Sequence, residues 1–332
     1  MNLFYSMIII LSIYLSISTT NLLLMWFIME LNLFSFMPFL LSKNNIKIGS
    51  NPMMNFFLIQ CFSTMIFILS LFYFLLNLSF FLNYLIYILL SFSILIKLGF
   101  FPFHYWLIKL MKNISWLNCF IISTIQKIIP LFIMLNLWFN NIFILMLNMI
   151  NSIFSTLGGM NNSNLKMILA YSSMNHLSWM FLILIISEKL FFLYISFYFL
   201  ILYSIMMLFN KMNIYSIKNI NNFKYSNLLK IIFSINFISL GGIPPLFGFI
   251  LKWLTILIVE ISYFIFMNLL ILMIVSFLTF FYYIQIISTT MMFFNNYWNK
   301  MFLMTMKFNL NNSIFLMMFF SLWMFMINMI IL

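Results

Sequence analysis

Apolar runs recur along the whole chain, at 3–20, 22–41, 53–76, 81–108, 115–137, 142–158, 166–186, 190–209, 228–258, 262–289 and 312–332. Short clusters rich in Asn, Ser and Lys separate many of them, from Ser42 to Pro52, Lys109 to Ser115, Asn161 to Asn164, Asn210 to Asn227 and Asn295 to Asn312. About 20 apolar residues in a helix cross the ~30 Å hydrocarbon core of a bilayer. In lipid the backbone has no water to bond, so each run is predicted to be helical, although Ile and aromatic residues are poorer helix formers than Ala. The pattern predicts an all-α membrane protein of about eleven transmembrane helices, forming one integral membrane domain over residues 1–332. No connection is long enough for a separate soluble domain, and no repeat of solenoid period is present.

Two of the runs carry helix-breaking sequence at depth. One holds Gly99 and Pro102 before His104, and the other holds Gly241-Gly242-Ile243-Pro244-Pro245 before Gly248. Proline removes an N–H and clashes with the preceding turn. Three of the six prolines fall in these two segments. An ordinary proline kink is one reading. The other is a pair of discontinuous helices, around Gly99-Pro102 and Gly241-Pro245, in an inverted-repeat transporter plan, where broken helices expose free backbone groups near an ion path.

Composition supports lipid as the solvent. Only 5% of the 332 residues are charged, against roughly a quarter in soluble domains. The chain has fifteen lysines, no arginine, no Asp, one Ala and two Val. Residues with G/C-rich codons are scarce, which is the mark of an A/T-biased genome and carries no chemistry. The net charge of +12 is explained by position. With eleven spans, Lys43, Lys47, Lys109, Lys112, Lys166, Lys211, Lys218, Lys224, Lys230, Lys300 and Lys307 all fall on the side of the N-terminus. The opposite side receives Lys189, beside Glu188, and Glu260. Basic loops stay on the side from which helices insert. The N-terminus is therefore predicted on the cytoplasm-like side, which is the matrix in a mitochondrion, and the C-terminus on the other. Nucleic acid need not be invoked as a partner; anionic lipid headgroups are compatible with such loops. Cys61 and Cys119 read as small buried hydrophobes.

Four charged residues remain inside apolar runs: Glu30, Lys97, Lys127 and Lys252. Each costs about 2.5–3.5 kcal/mol or more on insertion scales. Lysine stems snorkel to an interface over one or two turns, which suits Lys252 better than the more central Lys97, Lys127 and Glu30. A purely structural Glu–Lys pair is a second reading. The third is a proton path through lysines held away from water and exchanging protons with hydrated neighbours. His176 lies in Tyr171-Ser172-Ser173-Met174-Asn175-His176 and His104 follows Pro102. Each is a relay or a supporting hydrogen-bonding residue, with Ser172, Ser173 and Asn175 as polar company for His176. Two histidines without Asp or a thiol cluster predict no metal site, and no cofactor-binding motif or catalytic nucleophile with its base is present.

Several blocks taken together resemble the antiporter-like membrane subunits of respiratory complex I. They are Trp26-Phe27-Ile28-Met29-Glu30-Leu31-Asn32, Lys97-Leu98-Gly99 with Pro102-Phe103-His104-Tyr105-Trp106, and Gln126-Lys127-Ile128-Ile129-Pro130. Leu169-Ala170-Tyr171-Ser172-Ser173 through His176 and Gly241-Gly242-Ile243-Pro244-Pro245-Leu246 through Lys252-Trp253 continue the series. The resemblance implies a core subunit of the proton-pumping arm of NADH:ubiquinone reductase in the inner mitochondrial membrane. It implies neighbours among the other membrane-arm subunits, including sister antiporter-like subunits, and phospholipids. No cofactor is expected on this chain; NADH, FMN, iron–sulfur clusters and ubiquinone are expected elsewhere in the complex. By the same resemblance Glu30 pairs with Lys97, Lys127 is the central relay and Lys252 exchanges with the far side. The start just before the Glu30 helix resembles the family's animal mitochondrial members, and that shortening, with Lys rather than Glu at 252, favours the family's shorter branch over its longer sister subunits. Met167 departs from relatives that place a second basic residue beside Lys166.

Two rivals stand beside this reading. A stand-alone cation/proton antiporter is disfavoured by the lack of carboxylates at depth to hold a metal cation. A scaffold that only fills the membrane arm would tolerate apolar residues at all four charged positions.

Overall fold

The computed structural model describes residues 2–43, 50–76, 80–137, 142–220, 227–244, 246–259 and 263–291. Pro245, Glu260, Lys47, Lys224, Lys300, Lys307 and the predicted span at 312–332 lie outside these residues.

The described residues are helical almost throughout. The helices are α1 (Asn2–Ser18), α2 (Leu22–Lys43), α3 (Ser50–Leu75), α4 (Phe80–Leu98), α5 (Tyr105–Asn113), α6 (Trp116–Ser123) and α7 (Ile125–Asn136). They continue as α8 (Ile142–Met160), α9 (Leu165–Ile186), α10 (Glu188–Met212), α11 (Ile217–Ile220), α12 (Asn227–Gly241), α13 (Phe247–Ile258) and α14 (Tyr263–Met291). Among the described residues, seven stretches are long and apolar enough to cross a membrane, and shorter apolar helices accompany them. With the half-helices joined, ten of the eleven predicted spans are present among the described residues.

Polar punctuation works as caps. Asn21 Oδ1 accepts from the Leu23 N–H at 3.0 Å to start α2, and Asn164 Oδ1 accepts from the Lys166 N–H at 3.1 Å to start α9. Asn213 ends α10 in the left-handed region, with φ 53°.

Both predicted interruptions are present. The span at 81–108 is split into α4 and α5. Gly99 has φ +67°, which lets α4 end in a Schellman turn: the Phe100 N–H donates to the Leu95 carbonyl and the Gly99 N–H to the Ile96 carbonyl. The Trp106 indole N–H donates to the Ile96 carbonyl as well, at 3.1 Å. The span at 228–258 is split into α12 and α13, with Gly242 at φ +79°. The twelve residues of α13 rise only about 18 Å, short of the ~30 Å core, so the break lies at depth.

A third interruption was not predicted. The run at 115–137 bends at Thr124 (φ −122°, ψ −75°), between α6 and α7. The Phe120 carbonyl there accepts from the Thr124 N–H, the Thr124 hydroxyl at 2.6 Å and the Ser123 hydroxyl at 3.1 Å. Hydroxyls bonding back to a carbonyl compete with the helix ladder and bend it. Pro130, inside α7, removes a further ladder bond.

The chain groups into two compact units, Met1–Phe154 with Ser173–Asn175, and Ser155–Ser172 with His176–Leu332. In the first, α1 packs on α2, α3 on α4, and α7 on α4, α2 and α1. In the second, α12 packs on α14, α10 and α13. Large apolar side chains such as Phe4, Tyr14, Phe277 and Phe281 are exposed, as expected where lipid or neighbouring apolar protein is the solvent.

Candidate functional site

In the first unit, α2 to α7 line a cavity of about 30 Å³, counted as space open to water centres. A site of at least ~10–15 Å³ by this measure holds a water. Lys97 and Lys127 both line it, together with Asn32, Gln60 and Gln126. The structure thus brings two of the four predicted charged residues to one pocket with room for water.

Lys97 is on the last turn of α4 and is 9% exposed. Its ammonium donates to Met29 Sδ at 3.1 Å, and its own carbonyl accepts from Gln60 Nε2 at 3.4 Å. Glu30, half-buried on α2, is near enough for its charge to be felt at Lys97. The near partner is nevertheless the Met29 sulfur, the side chain beside Glu30. The carboxylate is therefore not the hydrogen-bonded partner of Lys97.

Lys127 follows the Thr124 bend and is 4% exposed. Its ammonium donates to Ser173 Oγ at 3.0 Å and to the Ser173 carbonyl at 3.2 Å. Beside it, Gln126 and Asn32 form a reciprocal amide pair. Asn32 Nδ2 donates to Gln126 Oε1 at 2.9 Å, and Gln126 Nε2 donates to Asn32 Oδ1 at 3.2 Å. Each amide keeps a second donor and a second lone pair for water in the cavity.

Lys252, on α13 in the second unit, is 5% exposed. Its ammonium donates to the Gly241 carbonyl at 3.2 Å. That carbonyl is one of the last four of α12 and has no acceptor role within the helix, because the helix stops there. The negative end of the half-helix thus faces a cation. The Trp179 ring lies 5.5 Å from the ammonium, within cation–π range. Lys252 does not snorkel out.

His176 Nδ1 shares a 2.8 Å hydrogen bond with the Tyr194 hydroxyl, and its ring packs on Tyr198. Ser172 donates to the Leu169 carbonyl at 2.9 Å. His104 supplies the carbonyl that accepts from Leu107 and Ile108 at the start of α5, and its ring stacks on Phe101. His104 is therefore part of the helix break.

A family described as NADH:quinone oxidoreductase/Mrp antiporter, TM, matches residues 19–281. NADH-ubiquinone oxidoreductase chain 2 of Anopheles gambiae is 31% identical over 246 residues, 73% of this chain and 72% of that protein. The chain belongs to the NADH-ubiquinone oxidoreductase chain 2 family. Chain 2 of Artemia franciscana is 33% identical over 73% of this chain and 75% of its own length, and that of Lumbricus terrestris 31% over 79% of each. Two solved structures share the fold. One is respiratory complex I from Thermus thermophilus with bound Aureothin, with a TM-score of 0.77 at 19% identity, over 86% of this chain and 69% of the matched chain. The other is the Mrp complex from Dietzia sp. DQ12-45-1b, with a TM-score of 0.73 at 13% identity, over 86% and 59%. As a chain 2 family member built of apolar helices, the protein is a multi-pass membrane protein.

The polar residues Asn32, Gln60, Gln126 and Ser173 were missed as site residues from sequence. Glutamine offered the one usable signal: only three occur in the chain, and two of them line the cavity.

Proposed function

We propose that this chain is a proton-translocating subunit of NADH:ubiquinone reductase, with the redox chemistry carried by other subunits. Lys97 and Lys127 are the relay of the first unit, and Lys252 is the exchange group of the second. The observation that supports this reading is the shared cavity: two buried lysines, each held by neutral ligands, line the same small space, which has room for water. Such a ligand set serves a group that changes charge. The Ser173 hydroxyl accepts from an ammonium and, by rotating, donates to a neutral amine, so Lys127 keeps a partner in both states. A permanent carboxylate partner would instead trap the charged form. The Asn32 and Gln126 amides hold water without taking up protons themselves. Glu30, acting at a distance, biases Lys97 and gives a redox-linked change elsewhere in the complex a charge on which to act.

No NADH, FMN, iron–sulfur or ubiquinone site is assigned to this chain. The location proposed is the inner mitochondrial membrane, with the N-terminus in the matrix and the C-terminus toward the intermembrane space. The partners are other membrane-arm subunits, among them sister antiporter-like subunits, and phospholipids.

The test is Lys127→Met in the assembled complex, reconstituted in sealed vesicles. Fewer protons moved per NADH oxidised, with NADH oxidation retained once the membrane is uncoupled, is the expected result. An unchanged proton-to-electron ratio would remove the relay role. Cation-coupled proton movement by the purified chain alone would favour an independent antiporter instead.

A further inference from the structure

The break between α4 and α5 leaves a backbone donor that neither half-helix satisfies. The Schellman turn uses the N–H groups of Gly99 and Phe100. The next donor, the Phe101 N–H, bonds to Asn151 Oδ1 at 3.0 Å. Asn151 lies on α8 and is 0% exposed. Its Nδ2 donates at 3.0 Å to the carbonyl of Met174 on α9. Met174 follows Ser173, whose carbonyl and hydroxyl hold the Lys127 ammonium. One turn further along α8, Phe154 stacks on the Phe101 ring with centroids 4.3 Å apart. The break is therefore gripped at Phe101 by both backbone and ring.

We infer that Asn151 is a positioning residue for Lys127, whose amide ties the geometry of the α4–α5 break to the α9 carbonyl beside Ser173. The two ends of a planar amide are at fixed separation. A shift of Phe101 therefore draws Met174 with it or strands a polar group at bilayer depth, where no water replaces the lost partner. Lys97 is two residues before the Gly99 turn, so a rearrangement that moves Lys97 reaches the ligand of Lys127 through one side chain. The inference rests on the relay reading above, and the experiment separates the two.

Protons moved per NADH oxidised are measured in sealed vesicles for the assembled complexes carrying Asn151→Leu, Ser173→Ala, both together, and Lys127→Met. Asn151→Leu removes both amide hydrogen bonds and is expected to lower pumping by this chain at least roughly threefold to tenfold, the range set by one such bond. The double variant is expected to lose no more than the larger single loss, because both act on one ligand. Full pumping by Asn151→Leu, or losses that multiply in the double variant, overturns the inference and leaves the relay standing. Normal pumping by Lys127→Met overturns the relay itself and the inference with it. If Asn151→Leu does not assemble, Asn151→Ala, which leaves space instead of filling it, is read by the same criteria. Failure of both to assemble assigns Asn151 to folding and overturns the inference.

Discussion

The Lys127 ammonium donates to both oxygens of Ser173, at 3.0 Å to the hydroxyl and 3.2 Å to the carbonyl. The hydroxyl is the partner that survives a change of protonation state. A hydrogen bond to a charged group contributes about 1.5–3 kcal/mol. Ser173→Ala is therefore expected to slow proton transfer through Lys127 by at least about tenfold, and Ser173→Thr, which keeps the hydroxyl, to retain it. Pumping rates of the two variants in vesicles check this; equal loss in both would point to packing and not to the hydroxyl.

On the proposed relay Glu30 acts on Lys97 by charge, while the Met29 sulfur takes the near hydrogen bond. Glu30→Gln removes the charge and keeps the shape. The expected outcome is slower coupled turnover with normal assembly, and a smaller loss than that of Lys97→Met, which removes the relay group itself. A wild-type rate for Glu30→Gln would end the case for electrostatic control.

The Asn32–Gln126 amide pair makes two hydrogen bonds at the cavity. Neutral bonds contribute about 0.5–1.5 kcal/mol each. Asn32→Leu and Gln126→Leu are each expected to lower pumping, and the double variant to lose less than the sum, since both remove the same pair. Additive losses would mean that the two amides act separately.

Gly242 sits at φ +79°, and a Cβ added there would meet Lys252 Nζ at 2.9 Å. Left-handed backbone costs an ordinary residue about 1–2 kcal/mol. Gly242→Ala is expected to displace the ammonium from the Gly241 carbonyl and to match the pumping loss of Lys252→Met. Unaltered pumping in an assembled Gly242→Ala complex would show that the Lys252–Gly241 contact is dispensable.

At Gly248 an added Cβ would collide with the carbonyl oxygen of Ser239, which is backbone and has little room to move. At Gly159 the first obstacle is the Tyr282 ring edge at 3.0 Å, which a small rotation relieves. The amount of complex on a native gel should therefore fall sharply for Gly248→Ala and little for Gly159→Ala. The reverse order would contradict the close packing of α13 on α12.

Much of this was legible before any coordinates. Apolar runs alone located the helices, because lipid leaves the backbone no alternative. Lys97, Lys127, Lys252 and Glu30 stood out because a charge in an apolar run is expensive and rare. Gly99 with Pro102 and Gly241 through Pro245 marked the broken helices, because those residues cannot continue a helix ladder.

The ligands of those charges were not legible. Asn and Ser are common throughout this chain, so Asn32, Asn151 and Ser173 carried no contrast. The bend at Thr124 arose from hydroxyls competing for one carbonyl, which leaves no Gly or Pro as a marker. The amide pair joins residues 94 apart in sequence. By itself the sequence determined which segments enter lipid and which charges go with them, since both follow from transfer energies summed along the chain. Only the tertiary structure decided what each charge touches. The rotation of one helix against another places a sulfur, a hydroxyl or a free carbonyl at 3 Å, and packing sets that rotation.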